Sequence, residues 1–568
     1  MAKASRSKGV QKQKTKKAST AFKKNPAGNV QALNAKDVIK EFDKLCKEKR
    51  LVEAQAYLNS LRGLKKWQKL NLQSIIEFKK GDFKTAEAQL REAAREPDTK
   101  YGVHKNLAGL LCQQGRMREA LPIAKKAYLD TNKKELPIIH LYINCLLDLG
   151  KSEEALEACD DAKQYFPDDK TILVSHASAL RSVMRNEEAV KEIDDLMIKF
   201  PKEPVIVRIK ADLLGDTDSA KALEYYEEAH NIAVNDKGRE DPAVKWNMSL
   251  HLLRNRKLKR GWECWEEGFH PVVGTMGRNL PKRITDMPRA DSPDVEIDPE
   301  KWTIICSEQG IGDQVLFMHN MLETLEELKN ILFICEQRMH PIIKRSFPNM
   351  VVGCAGVTYD WTRTTLKKNG YIPLGSIPRR HRNTVDAYLQ NRKPYLIANK
   401  NLYDKYKTIL SAKANKRPII GISWKGGYWQ IQRKTKELEI EKWLPIFKKD
   451  ALFVNLQYGD VRKEIEKVRD QGFDIVDFPE LDFKVHLDDW VAIAGACSGI
   501  ISVSTALVHF AGAIGQKVAV VMPSKQGPWH LGLHDEESMA YKNVRIYRPQ
   551  GDEPIDKLVE RVASLIIA

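Results

Sequence analysis

No stretch of this 568-residue sequence approaches the roughly 18–20 consecutive apolar residues that a membrane span needs, and the longest apolar runs are strand-sized. The N-terminus is Lys-rich and lacks an apolar core, so it does not read as a secretory signal. Cysteine is scattered, with nine residues and no Cys-x-x-Cys pair. That argues against a zinc site or a disulfide framework and for buried free thiols in a reducing compartment, hence a cytoplasmic protein. Cys112, Cys145 and Cys159 fall in predicted helices, and Cys306 and Cys335 in predicted strands. Residues 1–34 contain no acid and almost no aromatic residue, yet hold nine Lys and Arg out of a net charge of +17. Such a segment cannot offset its ordering entropy, which predicts a disordered basic tail over 1–34. It reads either as an electrostatic tether (to nucleic acid, to an anionic membrane surface touched peripherally, or to an acidic partner) or as a solubilising tail. Nucleic-acid binding is argued against by the lack of interleaved aromatics and of any recognised module.

With 42% hydrophobic and 30% charged residues, the chain has the composition of a globular protein of three or four domain-sized units. From 35 to 270 the pattern is helical and repeats. Gly81-Asp-Phe-Lys-Thr-Ala86, Gly115-Arg-Met-Arg-Glu-Ala120 and Gly150-Lys-Ser-Glu-Glu-Ala155 share one turn and helix start, continued in degenerate form by Asn186-Glu-Glu-Ala189 and Ser219-Ala-Lys-Ala222. The alanine recurs at 86, 120, 155, 189 and 222, at intervals of 34, 35, 34 and 33, and Leu51-Val-Glu-Ala54 starts an earlier copy. A small residue is needed where the second helix of a unit crosses closely over the first, and a Gly or Asn ends the first helix just before it. A 34-residue two-helix unit resembles the tetratricopeptide repeat, at about six or seven copies. Such repeats bury their apolar faces only against their neighbours and stack into a superhelix. The groove reads as a site for a protein or glycan partner, or the array as a spacer. Asn106, Asn144, His140 and His176 are candidate groove residues. A last helical pair, 244–269, is distinct, with Trp262 and Trp265 on one face as in a helix packed on a neighbouring domain. Residues 271–300, rich in Pro, Asp and Arg, read as a linker.

After Trp302 short β-branched runs alternate with helices: 303–306, 331–335 and 351–353, then 418–424, 452–456, 474–476, 500–503 and 518–522. Such strands imply parallel sheets covered on both faces. A polar, Lys-rich break at 395–417 divides them into two doubly wound lobes, 301–410 and 411–568, whose strand ends would share a cleft. Several segments would populate it. In the first lobe, Ser307-Glu308-Gln309-Gly310-Ile311-Gly312-Asp313 makes a strand, a tight turn and a helix start with one carboxylate at its mouth. The helix-like segment runs from Val315 to Leu328. In the second lobe, Trp424-Lys425-Gly426-Gly427, Arg433-Lys434 and Leu456-Gln457-Tyr458-Gly459 follow strands. The segment Ser502-Val503-Ser504-Thr505-Ala506-Leu507-Val508-His509 runs from a strand into a helix that Ser504 or Thr505 would cap.

These motifs, with the Ala511-Gly512-Ala513 continuation, Met522-Pro523, Gly261-Trp262 and Trp424-x-Gly426, resemble the heptosyltransferase-like glycosyltransferases (family 9). They resemble most the bacterial proteins in which tetratricopeptide repeats precede that domain. The resemblance covers about 240–568. It implies a GT-B pair of Rossmann-type lobes after the all-α repeats, the first acceptor-side and the second on the side of the nucleotide-sugar. It also implies inverting transfer of sugar from a nucleotide-sugar with no metal or other cofactor. It places the general base on Asp313, in the turn of Gly310 and Gly312. Donor binding falls on Lys425, Arg433, Lys434, Gln457, Ser504, Thr505, Ala506, Leu507 and His509. The family usually has Asp-Thr where this chain has Ser504-Thr505, and Gln526-Gly527-Pro528-Trp529-His530 replaces a more usual Asp-Trp pattern, which leaves donor identity open. A plainer reading stands beside each residue: Asp313 as a helix cap, His509 as a core histidine, the cations as solvated charges, and Glu308 as a buried strand-end polar group or a second acid. The alternative for the whole is a catalytically silent repeat scaffold.

Overall fold

The computed structural model describes residues 35–568 except 216, 271–272, 274–276, 279, 281, 293–294, 355–366, 427–437, 523–526 and 568. The basic tail, Arg433 and Lys434 therefore lie outside the described residues. Internal contacts divide the chain into two compact units, Met1–Leu110 and Leu111–Ala568.

The first unit holds helices Ala35–Lys47, Leu51–Ser60, Lys66–Lys80 and Phe83–Ala94. Phe42, Leu45, Ala54, Leu58, Leu72 and Ile76 form a core within it. Helix Lys66–Lys80 stops at Gly81 in the left-handed conformation, and Asp82 then caps the next helix by accepting from Thr85 N at 3.0 Å. Asn106 donates to Asn71 at 2.9 Å.

The second unit continues the helical pairs as Leu136–Asp148 with Ser152–Tyr165, Lys170–Ser182 with Asn186–Lys199, Pro204–Leu214 with Ser219–Asn231, and Pro242–Arg254 with Leu258–Trp265. This is the all-helical, tetratricopeptide-like half of the fold. Ala120, Ala155, Ala189 and Ala222 are fully buried at the helix crossings. The pair over 244–269 proves to be one more copy, because Gly261 stands four residues into its second helix where the others carry alanine. A Cβ there would meet Leu253 Cδ2 at 2.7 Å and Leu253 N at 3.2 Å, so the two helices approach too closely for alanine. The expected Gly-or-Asn stop needs correcting in the degenerate copies. The left-handed residue is Met184, not Asn186, and in the last copy it is Arg256. His140 and His176 are engaged within the array, with Asp169 (2.9 Å) and with Glu192 and Asp160 respectively; Asn144 is exposed.

Two all-parallel sheets follow. The first has the order β3-β2-β1-β4, from β1 (Trp302–Cys306), β2 (Ile331–Cys335), β3 (Val351–Cys354) and β4 (Lys368–Pro373). The second has the order β10-β9-β8-β5-β6-β7, from β5 (Ile419–Ser423), β6 (Leu452–Asn455), β7 (Ile475–Val476), β8 (Gly499–Ser502), β9 (Val518–Val521) and β10 (Val544–Tyr547). Both central strands are buried on two faces, as apolar parallel strands must be. β4 and β10 escaped the sequence reading. Lys368-Asn-Gly-Tyr-Ile-Pro carries strand-breaking residues, and Gly370 takes φ +127° so that the backbone can pass Pro288. The break expected at 395–417 is largely a helix, Lys400–Ala414. It spans the expected lobe boundary and packs on the second lobe, where Tyr406 donates to Asp489 at 2.6 Å.

The segment expected to be a linker is partly built into the core, through Arg278, Ala290 and Asp291. Arg278 is 2% exposed and holds Glu308 through two hydrogen bonds of 2.9 and 2.5 Å, with Phe269 beneath its guanidinium at 4.2 Å. Trp262 packs edge-on against Phe317 of the first lobe and Trp529 of the second, and donates to the Arg382 carbonyl at 3.0 Å. Arg256 donates to the Trp529 carbonyl at 2.9 Å and pairs with Asp535. The last repeat thus contacts both lobes.

Candidate functional site

β1 ends in Ser307-Glu308-Gln309, and Gln309 turns the chain at φ +66° into helix Ile311–Met318, whose N-cap is Gly310. The helix begins four residues earlier than the Val315 start read from sequence. Asp313 therefore does not cap it but lies in its first turn, where a carboxylate suits the positive end of the helix. In the second lobe, β8 leads through Ser504 and Thr505 into helix Ala506–Ala513. Thr505 takes the N-cap position, but its hydroxyl sits 3.3 Å from Ser502 Oγ and makes no cap bond, which corrects the capping role expected of it.

The two helix starts meet. A Cβ on Gly312 would lie 3.2 Å from His509 Cδ2 and 3.3 Å from Ala506 Cα, so glycine lets the helices approach closely, and a side chain there would press them apart by a few tenths of an ångström. Together they line a crevice of about 330 Å³. One wall is Gly310, Ile311, Gly312 and Asp313; the other is Ser504, Thr505, Ala506, His509 and His530; Tyr458, Phe483, Lys484 and Trp490 close its end. Two helix N-termini converging on one space create a field that favours an anion. Lys484 adds a cation, its ammonium 5.6 Å above the Tyr458 ring.

Five of the residues singled out as catalytic or donor-binding, Asp313, Ser504, Thr505, Ala506 and His509, are brought together in this crevice, with both turn glycines. Others are placed elsewhere. Leu507 is fully buried in the core. Lys425 is paired with Glu464. Gln457 turns inward, its Oε1 accepting from Ser423 Oγ (2.9 Å), Trp424 N (3.0 Å) and Lys425 N (2.9 Å), so it shapes the turn after β5 instead of lining the crevice. That turn leans on the site, since a Cβ on Gly426 would meet Thr505 Cγ2 at 2.7 Å. Glu308, the second acid considered, has both carboxylate oxygens on Arg278 and also accepts from Gly375 N at 2.8 Å, which makes it an anchor of the turn. Nearby Glu266 is pushed up by burial, but Arg278 and Arg289 outweigh that and hold it below the ordinary carboxylate range.

Sequence reasoning missed Phe483, Lys484 and the role of His530, whose ring lies 4.7 Å from that of His509. Lys484 and Phe483 sit in an irregular loop with no motif to mark them. Behind His509, Tyr541 is fully enclosed, its phenol raised well above its ordinary pKa by burial first, then by Tyr395, with the Asp313 charge adding to the rise. Among the described residues, no three His, Cys, Asp or Glu side chains are grouped to hold a metal ion. No described helix is long and apolar enough to cross a membrane.

No protein-family model matches the chain. It is similar to Protein FlbA of Caulobacter vibrioides, 26% identical over 334 residues that span 56% of this chain and 53% of that protein. The chain thus spans about half the length of the curated relative it matches. Among solved structures, it is similar to a tetratricopeptide repeat protein from Parabacteroides merdae (14% identity, 42% of this chain and 94% of that one, TM-score 0.37). It is also similar to YrrB, a TPR protein with an unusual peptide-binding site (17% identity, 31% of this chain and 92% of that one, TM-score 0.27). By its own helices and strands, the chain is an all-helical tetratricopeptide-like repeat array that continues into an α/β region of two parallel sheets.

Proposed function

We propose that the crevice transfers a sugar from a nucleotide-sugar to an acceptor hydroxyl, with inversion and without a metal. The observation that carries the reading is that Asp313 of one lobe and the Ser504–His509 turn of the other line a single crevice. Asp313 takes the acceptor's proton as its oxygen attacks the anomeric carbon. The bond to the diphosphate breaks on the opposite face, and its electron pair leaves on the diphosphate. The start of helix Ala506–Ala513, the Ser504 and Thr505 hydroxyls, and Lys484 receive that charge, with Arg433 or Lys434 assisting. The family resemblance supports this assignment, and the repeats, large for holding one small sugar, fit a protein or glycan acceptor. The test is incubation with a panel of nucleotide-sugars, following hydrolysis and mass added to co-expressed proteins. Asp313→Ala should lower transfer by about 10²–10⁴-fold while nucleotide-sugar binding persists; a variant with its full rate sinks the base assignment.

A second reading, a silent scaffold, draws on Lys425 being committed to Glu464 and on Ser504 standing where the family has an acid. Thermal-shift screening separates the two, since a scaffold gains no stability from any nucleotide-sugar or nucleoside diphosphate.

A further inference from the structure

All nine cysteines are free thiols, and two of them meet sulfur to sulfur. Cys112 is the next-to-last residue of helix Tyr101–Gln113, and Cys145 lies in the last turn of helix Leu136–Asp148. These are the first helices of two successive repeats. The sulfurs are 3.3 Å apart, so one thiol donates to the other. Packing alone does not call for sulfur at this seam. Cys145 stands ten residues before Ala155, the crossing alanine of its copy, and the same place in the next copy holds Ala179, also fully buried.

The two thiols are unequal. Cys145 is fully buried, whereas Cys112 is half-buried and within reach of a small oxidant. The hydrogen bond from Cys145 holds the Cys112 thiol below its ordinary pKa, outweighing burial and the Asp148 charge, and the same bond together with burial pushes Cys145 up. The thiolate is the reactive form, so attack starts at Cys112 and Cys145 is the sulfur placed to complete it. A disulfide needs about 2.0 Å between sulfurs, so from 3.3 Å only a short approach is required. Another cysteine pair differs in this respect. Cys335 and Cys354 are neighbours across β2 and β3, but Cys335 Sγ donates to the Gly353 carbonyl at 3.6 Å.

We propose that Cys112 and Cys145 form an oxidation site, at which a peroxide joins the first helices of two successive repeats through a disulfide. The Cys112 sulfur attacks one peroxide oxygen and the O–O bond breaks. The leaving oxygen takes the electron pair and the Cys112 proton, and Cys112 then carries S–OH. The Cys145 sulfur attacks that sulfur, the S–O bond breaks, and the departing oxygen takes the Cys145 proton. Two thiols and one hydrogen peroxide thus give one disulfide and two waters, and a small thiol reverses the step by exchange. Each copy in such an array packs only on its neighbours, so one bond across this seam removes the flexing of the array there. The proposal is independent of what the crevice does.

The experiment uses the full chain, reduced, freed of reductant and exposed while folded to a few equivalents of hydrogen peroxide. Remaining thiols are alkylated in denaturant, and the chain is digested without reduction. Mass spectrometry should find one linked peptide pair, carrying Cys112 and Cys145, with the other seven of the nine cysteines alkylated. Dithiothreitol should restore both thiols. Cys145→Ser should leave Cys112 as a sulfenic acid that dimedone captures, and Cys112→Ser should leave Cys145 unmodified. The oxidised wild-type chain should unfold at a higher denaturant concentration than the reduced one, a shift absent from Cys112→Ser. The wild-type readout needs neither variant to fold. If both thiols remain alkylated after peroxide, or if a link between Cys335 and Cys354 forms in their place, the proposal is overturned. A Cys112–Cys145 link that appears only when the chain is oxidised in denaturant overturns it equally, since the folded contact would then play no part.

Discussion

Replacing Gly261 by alanine sets two physical effects against each other, and the structure says which prevails. Six earlier copies of the repeat carry alanine at this position, at 54, 86, 120, 155, 189 and 222. Helix propensity alone favours the change by about 1 kcal/mol. The new Cβ, however, would sit 2.7 Å from Leu253 Cδ2, 2.8 Å from its Cγ and 3.2 Å from its backbone nitrogen. Leu253 is fully buried, so its tip has no empty space to swing into, and a backbone atom cannot rotate away. Overpacking of this kind costs about 1–3 kcal/mol. Gly261→Ala should therefore destabilise by up to about 2 kcal/mol once the propensity gain is subtracted. It should displace helix Leu258–Trp265, and with it Trp262, from Phe317 and Trp529. The assay is thermal unfolding followed by tryptophan fluorescence, with an expected Tm drop of about 2–4 °C per kcal/mol. Adding Leu253→Val should recover part of the loss, a coupling expected only for residues in contact. A Tm that rises in Gly261→Ala, as restoring the repeat's own alanine would suggest, refutes the steric reasoning.

Gln457→Leu should cost about 2–3 kcal/mol, because it orphans the buried N–H groups of Trp424 and Lys425. If the crevice binds nucleotide-sugar as proposed, the change should also weaken that binding through the Gly426 turn, read by chemical denaturation and thermal shift. Arg278→Met should destabilise by about 3–5 kcal/mol because it strands the Glu308 carboxylate in the core. The double variant with Glu308→Gln should lose less than the sum of the single changes in a double-mutant cycle. Acid should weaken the fold through two buried histidines. His251 and His319 are held neutral down to about 3, by burial first and then by Arg254 and Arg382 respectively. The unfolded chain takes up these protons below about pH 6.5, whereas the folded chain refuses them until about 3. Their stabilising contribution is therefore complete above pH 6.5 and falls away between there and pH 3, by about 2 kcal/mol per histidine at pH 5. Denaturation midpoints that stay level from pH 7 to pH 5 would contradict this.

Much of the fold was legible because its signals are local and repeated. The alanine period marks every helix crossing except the last, where glycine hid the final copy behind an apparently separate tryptophan-rich pair. Apolar β-branched runs located the central strands, whose two-sided burial leaves no alternative composition. β4 was missed because its glycine answers to a long-range neighbour, Pro288, and not to strand propensity. At the crevice, the two turns were readable, since a glycine turn and a helix start announce themselves in sequence. Orientation was not: Gln457 and Lys425 follow strands just as a ligand-binding residue would, but face Trp424 N and Glu464. Lys484 and Phe483 reach the crevice from a loop, and only the packing of the lobes puts them there.

Because Trp262 keeps one ring partner in each lobe, the final repeat works as a splint across the crevice. Any hinge that spread the lobes would have to drag that indole off Phe317 or Trp529 and break the Arg256 tie to the strap of backbone ending in His530. Entry to the crevice is thus cheapest by movement of rim loops such as the one carrying Lys484. A load that flexes the last repeat is delivered, through the adjacent Trp529 and His530, to the imidazole pair lining the crevice.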